Sequence, residues 1–237
     1  MLPLNYQDLY EIDSTPDAGT ATYVRLAAGL SGAVLASNDV VDQTTYLDGG
    51  GFGSSDVTGG QKTIAFSGHR DTADAGQNYV AGISGSFGEA RKTSFRYRDS
   101  RGVGFDAEVT IANIETGGGD AASKKDITFE IHANGEPTVV ALTNAPALSI
   151  TIAAGLTSGT TKCTATASAG NTLSYKLLAA DIATQYLNQY LAGDIAYTSA
   201  ADITATAGQY LAVFEVDSNE RIVSYNSQLL GSGDIAS

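Results

Sequence analysis

The chain has 237 residues and a net charge of −13, from 13 Lys and Arg against 26 Asp and Glu. That acidity argues against a protein built to grip nucleic acid, where affinity comes from cations on phosphates, and disfavours binding to an anionic membrane. One Cys, two His, one Met and no Trp leave no internal disulfide, no multi-cysteine metal cluster and few reactive groups. No enzyme, cofactor or metal is expected on these grounds. The first residues, MLPLNYQDLY, have neither the basic start nor the apolar core of a signal peptide, and no 18-residue apolar run occurs. The expectation is a soluble protein made in a cytoplasm.

Period-two patterning dominates and predicts a mainly β fold. Strands are expected at 21–26, 43–47 and 61–68, with a long glycine-bearing loop, 48–60, between the second and third. Loops of that length in compact domains are functional or disordered. Asp71 or Asp74 then caps a short helix with Tyr79, Val80 and Ile83 on one face. A hairpin follows: Arg91–Arg98, a turn at 99–102, and a long strand Val103–Glu115. Strands at 126–133 and 138–142 flank the turn signal Asn134-Gly135.

Asn144-Ala145-Pro146 reads as a boundary, dividing the chain into residues 1–146 (net −9) and 147–237 (net −4). The second part carries strands near 149–152, 161–166, 173–177, 209–216 and 221–225, which suits a small immunoglobulin-like β-sandwich. Within it, 181–191 has either helical spacing or the look of an aromatic loop, and 231–234 reads as a loose tail.

Reactive residues are sparse. His69 beside Arg70 and Asp71 fits a strand-end hydrogen bond better than acid–base catalysis, because no nucleophile motif lies near it. His132 alternates on a strand and reads as a surface or interface residue. Cys163, mid-strand, reads as a small buried hydrophobe. Gly49-Gly50-Gly51 and Gly117-Gly118-Gly119 lack a phosphate-loop context, so loop tips or a partner-docking loop are expected. Asp217–Glu220 lacks the glycine and final Glu of a calcium loop and reads as a hairpin turn. Arg91, Lys92, Arg96, Arg98 and Arg101 hold five of the 13 cations. In so acidic a chain they suggest pairing with an acidic surface of another copy, or else a charge-guarded edge strand.

The segment Tyr46–Ile83 carries a further pattern: Val57, Thr58, Gly59 and Gln61 open a strand, Ser67, Gly68 and Arg70 close it, and Asp74 precedes the helix. With the strand order through Leu142, this resembles the major tail tube proteins of long-tailed bacteriophages over roughly residues 1–145. Tyr23 stands where that family often has Trp.

The resemblance implies a tail-tube β-sandwich or barrel, with an appended small β domain on the tube exterior. It implies hexameric rings that stack into a hollow tube through which DNA passes without specific binding. Partners would be the chain itself and the tail terminator, tape measure and baseplate proteins. The location would be the virion tail, after assembly in the host cytoplasm. It also implies that the loop, through Gly49, Gly50, Gly51, Phe52, Gly53, Asp56 and Val57, stacks rings. An N-terminal arm, 1–19, would dock on the next ring through Tyr6, Leu9, Tyr10 and Ile12. A negative lumen wall would let DNA slide. The alternatives are a bacterial surface or adhesive β-sandwich protein and another tail component, such as a baseplate or connector protein.

Overall fold

The computed structural model describes residues 4–118 and 120–237, and it is mainly β with one α-helix. The chain forms two units, residues up to 97 with 104–139, and 98–103 with 140–237. The seam expected at 144–146 therefore lies inside the second unit, where Ala145 is buried and its N–H donates to Gln185 O at 3.0 Å.

The first unit contains β1 (Leu9–Asp13), β2 (Tyr23–Arg25), β3 (Leu30–Ala36), β4 (Val40–Thr45), β5 (Gly53–Gly59), β6 (Thr63–His69), α1 (Ala75–Gly82), β7 (Lys92–Arg98), β8 (Gly104–Thr116), β9 (Asp126–Ala133) and β10 (Thr138–Val140). Its main sheet runs β2-β1-β7-β8-β9-β6-β3, with β10 on β8. Alternation gives the sheet two unlike faces. On β9, Ile127, Phe129, Ile131 and Ala133 are buried, while Asp126, Thr128, Glu130 and His132 point outward.

The sheet folds over its own apolar face. Tyr10 on β1 meets Phe66 on β6 edge-on at 5.3 Å, although three strands separate them in the sheet. Phe66 stacks on Phe129 at 4.9 Å, and Phe95, Phe105, Ile12 and Ile111 complete the core. Each such side chain contributes roughly 1.5–3 kcal/mol on burial. Helix α1 adds Val80 to this core; Asp74 caps it, accepting from Gln77 N at 2.7 Å. Gly68 and Gly29 are fixed by a backbone crossing, since a Cβ at Gly68 would lie 2.4 Å from Gly29 O.

Three expectations change here. Residues 1–3 of the expected arm, 1–19, lie outside the described residues; further along it, β1 is an inner strand between β2 and β7, because Leu9 and Ile12 find burial in their own chain. The 48–60 loop is half strand, since β5 pairs back on β4 (Asp42 with Asp56, Gln43 with Ser55), and polar Ser, Thr and Asp hid the pairing. Strand β10 pairs with β8, so Asn134-Gly135 does not close a hairpin on β9; Asn134 N–H instead donates to Glu108 O at 2.8 Å.

The second unit contains β11 (Ile150–Ala154), β12 (Thr160–Ala165), β13 (Thr172–Leu178), β14 (Ile195–Tyr197), β15 (Asp202–Thr204), β16 (Tyr210–Val216) and β17 (Ile222–Leu229). Two sheets, β11-β12-β15 and β14-β13-β16-β17, pack as a β-sandwich around Cys163, Leu173, Ile203, Leu211 and Val213. Strand β16 is buried on both faces. Ala212, Phe214 and Val216 form a second core with Ala145, Leu191 and Ile222.

The 181–191 segment supplies that outer cover and is not helical. Its backbone bonds go to other segments: Leu187 N–H to Thr143 O, Asn188 N–H to Ile222 O, Leu191 N–H to Glu220 O. Asn188 sits at φ 62, which would break a helix. The 231–234 tail is also tied down. Leu230 is buried, and Ala236 exchanges backbone hydrogen bonds with Thr160 and Gly159.

Candidate assembly surface

Strands β3 and β6 leave the main sheet and continue as β4 and β5. Ala36 faces Thr63, and Val40 faces Gly59, with three residues between on each side, so one register runs through the break. This neck is built by side chains. Asn38, at φ 47, donates through Nδ2 to Thr63 Oγ1 (2.8 Å) and Gln61 O (3.2 Å). Gln61 N–H donates to Ser37 O at 2.8 Å, and its Nε2 reaches Ala133 O at 3.1 Å.

Beyond the neck lies a ribbon whose every strand residue is exposed. An isolated two-stranded hairpin is marginal in water. Gly50 and Gly51, at φ 60 and 90, make its tip turn, where Leu47 is fully exposed and Phe52 is 83% exposed. Tyr46, Val40, Val41 and Val57 are exposed as well. All the residues expected in the stacking loop, Gly49, Gly50, Gly51, Phe52, Gly53, Asp56 and Val57, thus lie together on this ribbon. Strand β3, an edge of the main sheet, adds exposed Val34 and Leu35 and carries no charge. Such an edge is open to pairing with another chain.

Of the residues expected to dock through the arm, three are used within the first unit. Leu9 and Ile12 are buried, and Tyr10 stacks on Tyr97 at 5.3 Å. Burial, with the neighbouring Asp8 carboxylate, pushes the Tyr10 phenol up to about 12. Tyr6 alone of the four is exposed. The five clustered cations are likewise held at home. Arg91 donates to Ser86 O and Ser84 O at 2.7 and 2.6 Å, and Lys92 pairs with Glu89 at 2.6 Å. Arg96 lies 3.6 Å over the Tyr23 ring, Arg98 is buried, and Arg101 pairs with Asp99 at 3.0 Å. Their sequence clustering reflects a strand and turn closing on local acceptors.

Both histidines lie on the outward face of β6 and β9, each beside a carboxylate: His69 with Asp126 at 3.1 Å and His132 with Glu130 at 2.8 Å. Hydrogen bonds from His132 and from Asn113, which a β-bulge turns toward it, hold the Glu130 carboxyl below its usual range. Glu108 and Glu115 join the same face, which is polar and mostly acidic. Among the described residues no group of three or more His, Cys, Asp or Glu side chains is placed to hold a metal ion. No described helix is long and apolar enough to cross a membrane.

In the second unit, burial pushes the Cys163 thiol up to about 11. Glu215 is buried yet ionised. Burial raises its carboxyl, but Asn171 Nδ2 and Ser168 N–H (2.8 Å each) and Ser224 Oγ (2.7 Å) outweigh that and bring it to about 2. Arg221, 1% exposed, donates to Asp99 O at 2.7 Å and Asn188 O at 3.1 Å.

Residues 153–233 match the family model of the S-layer protein SbsC C-terminal domain, which is under half of the chain. No curated protein matches the sequence. Among solved structures the chain is similar to the tail of an empty gene transfer agent particle of C6 symmetry (17% identity, TM-score 0.49, covering 59% of this chain and 100% of that one). It is similar to domains 7, 8 and 9 of the S-layer protein SbsC (16% identity, TM-score 0.36, 73% and 47% covered). It is also similar to the SPP1 Dit protein of a phage hub adsorption apparatus (12% identity, TM-score 0.32, 94% and 84% covered).

Proposed function

We propose that the chain is a structural protein of a phage-type tail that polymerises as stacked hexameric rings into the tail tube. The observation that carries this reading is the ribbon of β4 and β5, which exposes apolar side chains on a hairpin that a lone chain gives no partner. The uncharged β3 edge beside it offers a second, strand-to-strand contact. Contacts between unlike surfaces of identical chains do not close on themselves unless a ring forms, so rings and filaments are their natural products. The motif from Val57 to Asp74, which resembles tail tube proteins, falls on β5, β6 and the start of α1.

In this reading the outward acidic face of the main sheet, with Glu108, Glu115 and Glu130, lines the lumen and repels DNA in transit. The second unit lies on the tube exterior. Its seven strands, ordered first-second-fifth against fourth-third-sixth-seventh, support reading that sandwich as immunoglobulin-like. Partners are the tail terminator, tape measure and baseplate proteins, and the location is the virion. The chain acts as a building block rather than as an enzyme.

Negative-stain microscopy of the purified chain tests the proposal. Tubes of uniform width with six-fold end views are expected; dispersed monomers at every concentration and salt tried would overturn it. The match of residues 153–233 to an S-layer domain favours a second reading, a bacterial surface protein. Flat two-dimensional lattices on the same grids would select it.

A further inference from the structure

The exposed ribbon has a specific chemistry. Residues 37–61 carry four acids, Asp39, Asp42, Asp48 and Asp56, and no Lys or Arg. Asp42 and Asp56 face each other across the ribbon. Like charges directly opposite destabilise a strand pair, so a cation from outside would relieve them.

The chain is poor in cations able to serve. Arg25 and Lys162 are half-buried and Arg98 is buried. Lys62 lies over Phe105, and Arg70 bonds Asn78 and Gln77. Arg91, Lys92, Arg96, Arg101 and Arg221 are engaged as described above, and Lys176 donates to Ala192 O. Lys124 and Lys125 are different. They are adjacent and both exposed, and neither side chain is paired with another of the described residues. The backbone of Lys125 is fixed, because its carbonyl accepts from Arg70 N–H at 2.8 Å and β9 begins at the next residue.

Placement adds the decisive element. Within the first unit the ribbon leaves the main sheet where Thr63 faces His132, and the lysine pair sits where His69 faces Asp126. These are opposite ends of the β6–β9 pair, about 20 Å apart for seven residues of strand. A fully exposed ribbon is not folded back over that distance. Acid and base thus occupy opposite ends of one sheet, an arrangement that one copy cannot satisfy and a head-to-tail neighbour can.

We infer that the Lys124–Lys125 loop is the acceptor for the β4–β5 ribbon of a second copy of this chain, with Asp42 and Asp56 as its ionic partners. The inference rests on the tube reading and names the contact that would stack its rings. Attraction of this kind steers association and fixes register.

The test is charge reversal in the full chain, with folding checked by circular dichroism and assembly followed by light scattering and microscopy. K124E/K125E and D42K/D56K should each raise the concentration needed for assembly at least about tenfold. The four-fold variant, or a mixture of the two double variants, should restore it, and added salt should weaken wild-type assembly. If the wild type forms tubes and K124E/K125E forms them equally well, the contact is wrong and the tube reading stands. If reversal blocks assembly and the four-fold variant and the mixture both fail to restore it, the contact is wrong as well. If the wild type forms no tubes, the tube reading fails. The contact is then tested by zero-length carbodiimide cross-linking between isotopically distinct copies. Links from Lys124 or Lys125 to Asp42 or Asp56 of the other copy would support it, and their absence would overturn it.

Discussion

Glu215→Gln isolates the contribution of one buried charge. A carboxyl that titrates near 2 in the folded chain and at its ordinary 4.5 when unfolded contributes roughly 3 kcal/mol of stability once the pH is above 4.5. The sign follows from the depressed value: the contribution is complete above 4.5 and is lost as pH falls through 2. Glutamine fits the same hydrogen bonds, because Ser168 N–H and Asn171 Nδ2 both donate to Oε1, while the Ser224 hydroxyl at Oε2 can turn to accept. The substitution therefore removes charge assistance and little else. The expected loss is about 1–2 kcal/mol at pH 7, the gap between charge-assisted and neutral bonds. Because the wild type alone loses its roughly 3 kcal/mol on acidification, the two curves should cross between about pH 3 and 4, and Glu215→Gln should be the more stable near pH 2. Cys163, the single cysteine and fully buried in this unit, supplies the assay. Its modification by a disulfide reagent that reacts in acid, followed through urea at several pH values, reports opening of the second unit. A Glu215→Gln curve parallel to wild type from pH 5 to pH 2 would refute the reasoning.

Two further outcomes concern the first unit. Asn38→Ala removes the two Asn38 hydrogen bonds of the neck and leaves a position at φ 47 that alanine disfavours by roughly 1 kcal/mol. Tryptic cleavage after Lys62 should then accelerate several-fold with little change in thermal midpoint; an unchanged rate would show that the neck is held by other means. Glu108→Lys with Glu115→Lys should leave tube formation intact and slow DNA ejection from particles, measured by dye release. Unchanged ejection would assign the acidity to solubility alone.

Much of the scaffold was legible where period two coincides with burial. Strands β6, β7, β8, β9 and β16 alternate or run apolar as their burial demands, and Asp74 caps α1 through a local bond that sequence can display. What escaped depends on distant partners. Strand β1 looked like a free arm because its burial comes from Phe66 and Tyr97, more than 50 residues away. The ribbon's second strand, β5, reads as a loop because a strand exposed on both faces has no apolar alternation to show. The clustered arginines looked available because carbonyl and aromatic acceptors leave no signature in a charge count. On the candidate surface, Gly49–Val57 was found through its length and glycines, whereas Lys124 and Lys125 stand out only once the other cations are accounted for.

The turn at 98–103 belongs with the second unit, although β7 and β8 on either side of it are built into the first unit's sheet. The chain therefore passes between the units three times, at 97/98, 103/104 and 139/140. This makes the second unit a poor module for cut-and-paste exchange. A graft of residues 140–237 alone would carry Arg221 without the Asp99 carbonyl it holds, and Tyr190 without Ser100 O. A transferable cassette would have to take the β7–β8 hairpin tip along. Recombination at this locus is thus expected to preserve the pair or lose both.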